Sequence, residues 1–95
     1  MLYSETMKNY RMLERKMKGI ANHRRIEIAF LLLRTPELSV LDISKALAIN
    51  FKTASEHIRR LTLSGIVMKR NDKNSVRHAL TPLGKSILKF LRTLE

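Results

Sequence analysis

Residues 50–70 read "NFKTASEHIRRLTLSGIVMKR", and this stretch decides the architecture. Asn50 is a helix-capping residue, and Gly65 is the usual left-handed stop, so a helix runs between them. Ala54, Ile58 and Leu61 recur at i, i+4 and i+7 and place an apolar stripe toward the core. Lys52, Thr53, Ser55, Glu56 and Arg59, with the neighbouring Arg60, are left on the outer side. His57 shares the inner side with Ala54 and Ile58, which suits a partly buried, hydrogen-bonded histidine.

Upstream of Asn50, the turn Ala48-Ile49-Asn50 is short, and Ser39-x-x-Asp42 reads as a capping signal for a helix over residues 39–48. Leu41, Ile43 or Ser44, and Leu47 mark its buried side. Two helices joined by a three-residue turn have the spacing of a helix-turn-helix. Further back, Pro36 stops a helix over residues 23–34 whose "IAFLLL" leaves almost no polar face, with Asn22 as its cap. A brief extended piece at Glu37-Leu38 separates the two, and Gly19 breaks a first amphipathic helix over residues 4–18.

Downstream of Gly65, "IVMKR" and "VRHAL" flank the turn-rich "NDKNS" and predict a β-hairpin with a polar, basic tip. Thr81-Pro82 caps a last helix over residues 82–94. The expected order is helix, helix, short strand, helix, helix, strand, strand, helix. That is a mainly α fold with a small β-hairpin, a winged helix-turn-helix, filling residues 1–95 as one domain.

The charge balance bounds the partners. Nineteen Lys+Arg against eight Asp+Glu give a formal charge of +11, which favours polyanions. With 44% hydrophobic residues the chain has a core rather than disorder. The longest apolar run, residues 28–33, is too short to span a bilayer, and the first nineteen residues lack the apolar region of a secretory signal, so a cytoplasmic location without membrane contact is expected. The chain has no cysteine, and His23, His57 and His78 are widely separated, so neither a disulfide framework, a metal site nor a cofactor is expected. No carboxylate pair, phosphate loop or nucleophile with a base stands at meaningful spacing, which argues against an enzyme.

"GIANHRRIEIAFLLL" and "LSVLDISKALAINFKTASEHIRRLTLSGIV" resemble the winged-helix transcriptional regulators of the arsenical-resistance-repressor type. Arg25, Ile26 and Ile28 match that family's start of the central helix, and Thr53, Ser55, His57, Gly65 and Val67 match its helix-turn-helix signature. "HALTPLGKSIL" is closer to the winged helices of the multiple-antibiotic-resistance type. Asn22-His23-Arg24 replaces that family's usual Asp-Pro-Thr, and Ala48 stands where its turn often has glycine. The metal-sensing members carry thiolates beside the third helix or Asp/His pairs on the last. Here residues 39–42 offer no thiolate, and the last helix carries Lys85, Ser86, Lys89, Arg92 and Thr93.

The resemblance implies a dimeric transcriptional regulator bound to double-stranded DNA. In chemical terms the outer set fits that task. Arg59 or Lys52 suits guanine acceptors, Thr53 or Ser55 bases or phosphate, and Glu56 a cytosine amine, while Lys69, Arg70, Lys73, Asn74 and Arg77 of the hairpin suit flanking phosphates. Glu56 has a second reading, as an ion-pair partner of Lys52, Arg59 or Arg60 on its own helix. Between residues 39 and 78, Lys45, Lys52, Arg59, Arg60, Lys69, Arg70, Lys73 and Arg77 outweigh Asp42, Glu56 and Asp72. The stripes Met7, Tyr10, Leu13, Met17 and Leu83, Ile87, Phe90, Leu91, Leu94 exceed what one small core absorbs, so helices 4–18 and 82–94 are expected to build a two-fold dimer on a pseudo-palindromic site. Two other functions use the same features: a DNA-coating protein without sequence choice, and a winged helix that binds protein or RNA. The sequence identifies no small-molecule effector.

Overall fold

A computed structural model describes residues 3–95, with side chains from residue 9 onward; the side chain of Met7 lies outside the described residues. Seven elements follow in order: α1 (Tyr3–Ile20), α2 (His23–Arg34), α3 (Val40–Leu47), α4 (Phe51–Leu63), β1 (Val67–Asp72), β2 (Ser75–Leu80) and α5 (Pro82–Arg92). The five helices enclose Ile28, Leu32, Ile43, Ile58, Leu61, Ile66 and Leu88, each almost completely buried, and the hairpin closes one side.

Capping fixes where the helices start. The Asn22 side chain accepts from the Arg24 and Arg25 N–H groups. Ser39 and Asp42 form a reciprocal capping box. Asn50 accepts from Lys52 and Thr53, and Thr81 from Gly84. Each cap satisfies donors that no intrahelical carbonyl can reach, worth typically ~1 kcal/mol.

Three expectations need correction. The first helix does not stop at Gly19 but continues to Ile20. A Cβ on Gly19 would lie 2.0 Å from the Ser64 Oγ, so this glycine serves close packing of α1 on the end of α4. Leu41, expected on the buried side of α3, is exposed, and the buried pair is Ile43 and Ser44.

The short strand expected before α3 is not a strand. It is a single antiparallel bridge, Leu38 to His78. Glu37 has φ 68° and Ser39 is already the cap of α3, so Leu38 alone is left to pair with the hairpin. The Glu37 N–H donates to the His78 carbonyl at 2.8 Å and the His78 N–H donates to the Leu38 carbonyl at 2.9 Å. The sheet proper is the two-stranded hairpin, in register from Val67 opposite Leu80 to Asp72 opposite Ser75, turned by Lys73 and Asn74. Lys73 takes the left-handed conformation, φ 58°.

Candidate nucleic-acid interface

Helix α4 is anchored by Ala54, Ile58 and Leu61, all buried, and this anchoring aims its other side outward. Lys52, Thr53, Ser55, Glu56, Arg59 and Arg60 are all exposed on that side. They are not six independent groups. The Glu56 carboxylate accepts from Arg59 through both oxygens, at 3.0 and 2.8 Å, and from Arg60 Nε at 3.1 Å. Hydrogen bonds from Arg59 lead the causes that hold the Glu56 carboxyl down at about 2, and the same contact raises Arg59. Of the two readings of Glu56, the geometry shows the ion pair; the carboxylate fixes two arginines on the outer face.

The hairpin presents Lys69, Lys73 and Asn74 to solvent. Among the described residues, Lys52, Lys69 and Lys73 form no ion pair. Arg70 and Arg77 are different. They face each other across the hairpin, and both are held by Glu37. Arg70 donates to the Glu37 carboxylate, with its Nε at 3.0 Å, and Arg77 Nη1 donates to the Glu37 carbonyl at 3.1 Å. Arg77 is half-buried, its Nε lying 3.7 Å from the Asp72 carboxylate. These two cations brace the hairpin against the connection between α2 and α3.

Helix and hairpin meet in a cleft of about 300 Å³ bordered by Val40, Ser55, Ile58, Arg59, Lys69 and His78. His78 is buried, with Nδ1 2.9 Å from the Leu38 carbonyl. The cleft thus joins the outer face of α4 to the strands of the hairpin, with two cations, Arg59 and Lys69, among its lining residues.

Two features escaped the sequence reading. Phe51, the first residue of α4, is 54% exposed beside Lys52, and its signal was an aromatic directly after a cap. Arg25 ties three helices together: Nε donates to the Gly19 carbonyl at 2.7 Å, Nη2 to the Lys18 carbonyl at 3.3 Å, and Nη1 lies 3.3 Å from His57 Nδ1. Burial, then the Arg25 charge, lowers the His57 pKa, which favours the neutral ring, the form that can accept from Arg25 through Nδ1.

The dimer stripes also have a defined placement. Tyr10, Leu13, Met17, Phe90 and Leu94 are exposed, whereas Leu83, Ile87 and Leu91 are half-buried. Ile87 and Leu91 pack partly on the core, and Leu88 rather than they fills it. No described helix is long and apolar enough to cross a membrane.

Residues 22–68 match the family model described as winged helix-turn-helix DNA-binding. The chain is similar to reduced HlyU from Vibrio cholerae N16961, at 31% identity over 95% of each chain with a TM-score of 0.80. It is also similar to the transcriptional regulator HlyU from Vibrio vulnificus CMCP6, at 27% identity over 99% of this chain and 98% of that one, TM-score 0.77. A homodimeric winged helix-turn-helix domain from Mycobacterium bovis, a possible ArsR-family transcriptional regulator, shares the fold at 22% identity over 98% and 86% of the chains, TM-score 0.86. No curated protein sequence matches. With an exposed polar helix, a basic hairpin and these relatives, the chain belongs to the winged helix-turn-helix family of DNA-binding transcriptional regulators.

Proposed function

We propose that the protein is a cytoplasmic, sequence-specific, dimeric regulator that represses by occupying a pseudo-palindromic site in duplex DNA. The observation that carries this reading is the division of labour on its basic side. Lys52, Thr53 and Ser55 stand free on the N-terminal half of α4, Arg59 is oriented by Glu56, and Lys69, Lys73 and Asn74 project from the hairpin. Short polar and forked side chains on a helix can read base edges in the major groove, while the hairpin cations hold phosphates without reading sequence.

The dimer rests on the exposed apolar residues of α1 and α5. Tyr10, Leu13, Met17, Phe90 and Leu94 are each more than half exposed, an arrangement that favours covering by a second copy. The homodimeric Mycobacterium bovis domain of the same fold supports this. Two-fold pairing would set the recognition helices roughly one DNA turn apart, ~34–36 Å.

Fluorescence-anisotropy titration against the protein's own upstream duplex and a scrambled duplex, over a salt series, tests the proposal. The expected result is a preference of ~10³-fold or more that is lost in Ser55→Ala or Arg59→Ala, while Lys73→Ala mainly flattens the salt dependence. Equal affinity for both duplexes and for tiled genomic fragments, with one steep salt slope, would replace this reading with a DNA-coating protein that uses the +11 charge.

A further inference from the structure

The end of α1, the start of α2 and the end of α4 meet around a second concavity, lined by no residue of the hairpin. It has a volume of about 230 Å³, and four of its lining residues are cations: Arg15, Lys18, Arg25 and Arg60, over a floor that includes Gly19 and Ser64. The lining contains no carboxylate. From these observations we infer that this notch is a binding site for a phosphate-type oxyanion.

Its construction supports the assignment. The floor exists because Gly19 lacks a side chain; a Cβ there would collide with Ser64, so α1 and α4 approach closely and bring their cations together. Arg25 is held in place by the Gly19 and Lys18 carbonyls, so it is a fixed rather than a swinging charge. Burial and then the neighbouring Arg60 charge lower its pKa, and the Glu56 carboxylate only partly offsets them. The carboxylates that touch the set do so from outside the lining: Glu14 on Lys18 at 3.2 Å and Glu56 on Arg60 at 3.1 Å. Residues 15 and 19 lie about half a turn around α1 from Tyr10, Leu13 and Met17, so an α1-based dimer leaves the notch open.

The site is wired to the outer face of α4. Arg60 lines the notch and also shares Glu56 with Arg59. An anion that draws Arg60 inward leaves Glu56 to Arg59 alone and so changes the charge presented beside the recognition residues. The oxyanion can come from two sources, a free phosphorylated molecule or a phosphate of bound duplex.

The test begins without DNA, so its outcome does not depend on the proposed function. The whole ¹⁵N-labelled protein is titrated with inorganic phosphate and, in parallel, with chloride at matched ionic strength, following amide and arginine Nε–H shifts. Saturable shifts at Gly19, Arg25, Arg60 and Ser64 with phosphate alone, weakened several-fold in both Lys18→Gln and Arg15→Gln, are expected. Both substituted residues are exposed, so the fold is retained. Linear shifts spread equally over Lys69, Lys73 and the notch, or equal responses to phosphate and chloride, would overturn the site. A second arm separates the sources. If Lys18→Gln lowers the salt slope of duplex binding by about one and phosphate competes with duplex, the backbone of DNA occupies the notch; if duplex binding ignores both, the ligand is a free anion.

Discussion

Glu37 grips Arg70 across a sequence separation of 33 residues, from a backbone position with φ 68° that few side chains adopt. The hairpin is therefore docked onto the body by a carboxylate, and one of its cations is already occupied. Glu37→Gln is expected to loosen this hold and release Arg70 to phosphates, steepening the salt slope of DNA binding by about one. Arg70→Gln should cost little affinity in the otherwise unchanged protein and more in the Glu37→Gln background. Equal losses for Arg70→Gln and Lys73→Gln in the unchanged protein would mean that Arg70 leaves Glu37 when DNA binds.

Glu56 supplies a pH-dependent handle. Its folded-state pKa of about 2 lies below the ordinary 4.5. A depressed carboxylate stabilises the fold fully above its unfolded value and loses that contribution as pH falls toward the folded one. Urea melts from neutral pH down through 4.5 to about 2 should therefore show a loss of stability that Glu56→Gln lacks. At neutral pH the same substitution removes a negative charge from the outer face and frees Arg59 from its orienting partner, so anisotropy should show tighter binding to the scrambled duplex and a smaller preference for the specific site. A variant that binds more weakly, and only to sites with a cytosine at one position, would make Glu56 a base reader after all.

The legible parts of this chain were those written in local chemistry. Asn22, Asn50 and Thr81 announced helix starts, and Ala54, Ile58 and Leu61 announced the face that α4 buries. What could not be read depended on contacts between distant segments. Gly19 looks like a helix breaker until Ser64 is known to press against it. Glu37-Leu38 looks like a strand until the φ of Glu37 and the cap at Ser39 leave room for one bridge. Arg70 and Arg77 look like free wing cations, because nothing local says that Glu37 will reach them. The Glu56 pairing was legible as an alternative, since its partners are three and four residues away.

Ala48 ends α3 in the left-handed conformation, φ 54° and ψ 44°, at the turn of the helix-turn-helix. A Cβ in that region costs roughly 1–2 kcal/mol, and glycine gives back part of the difference through its freer unfolded chain. Ala48→Gly is therefore expected to raise stability by roughly 0.5–1 kcal/mol in denaturant melts, with DNA affinity unchanged. A destabilised variant would show that the Ala48 methyl packs in a way that outweighs its backbone strain.

Two glycines should respond in a fixed order. A Cβ on Gly84 would lie 2.3 Å from the Ile66 carbonyl oxygen, which is backbone, whereas one on Gly19 meets the Ser64 side chain. Backbone cannot swing aside, so Gly84→Ala should cost more than Gly19→Ala, for which overpacking of about 1–3 kcal/mol is the scale. Ser64→Gly should restore much of the Gly19→Ala loss and none of the Gly84→Ala loss. If Ser64→Gly rescues neither, the clash at Gly19 is relieved by movement of α1 as a whole.

The dimer proposal makes the broadest demand. Leu13 and Phe90 are 54% and 53% exposed, so neutral polar replacements remove little from the core of one chain. Leu13→Gln with Phe90→Gln should leave the helical circular dichroism and unfolding midpoint of the monomer nearly unchanged. Sedimentation should fall from a species of twice the chain mass to the 11.1 kDa chain. Because two linked recognition helices bind a two-half-site duplex far more tightly than one, affinity for the full site should drop by roughly 10²–10⁴ while affinity for a half-site is retained. A native protein that sediments as 11.1 kDa at micromolar concentration would remove the dimer and with it the expectation of a pseudo-palindromic site.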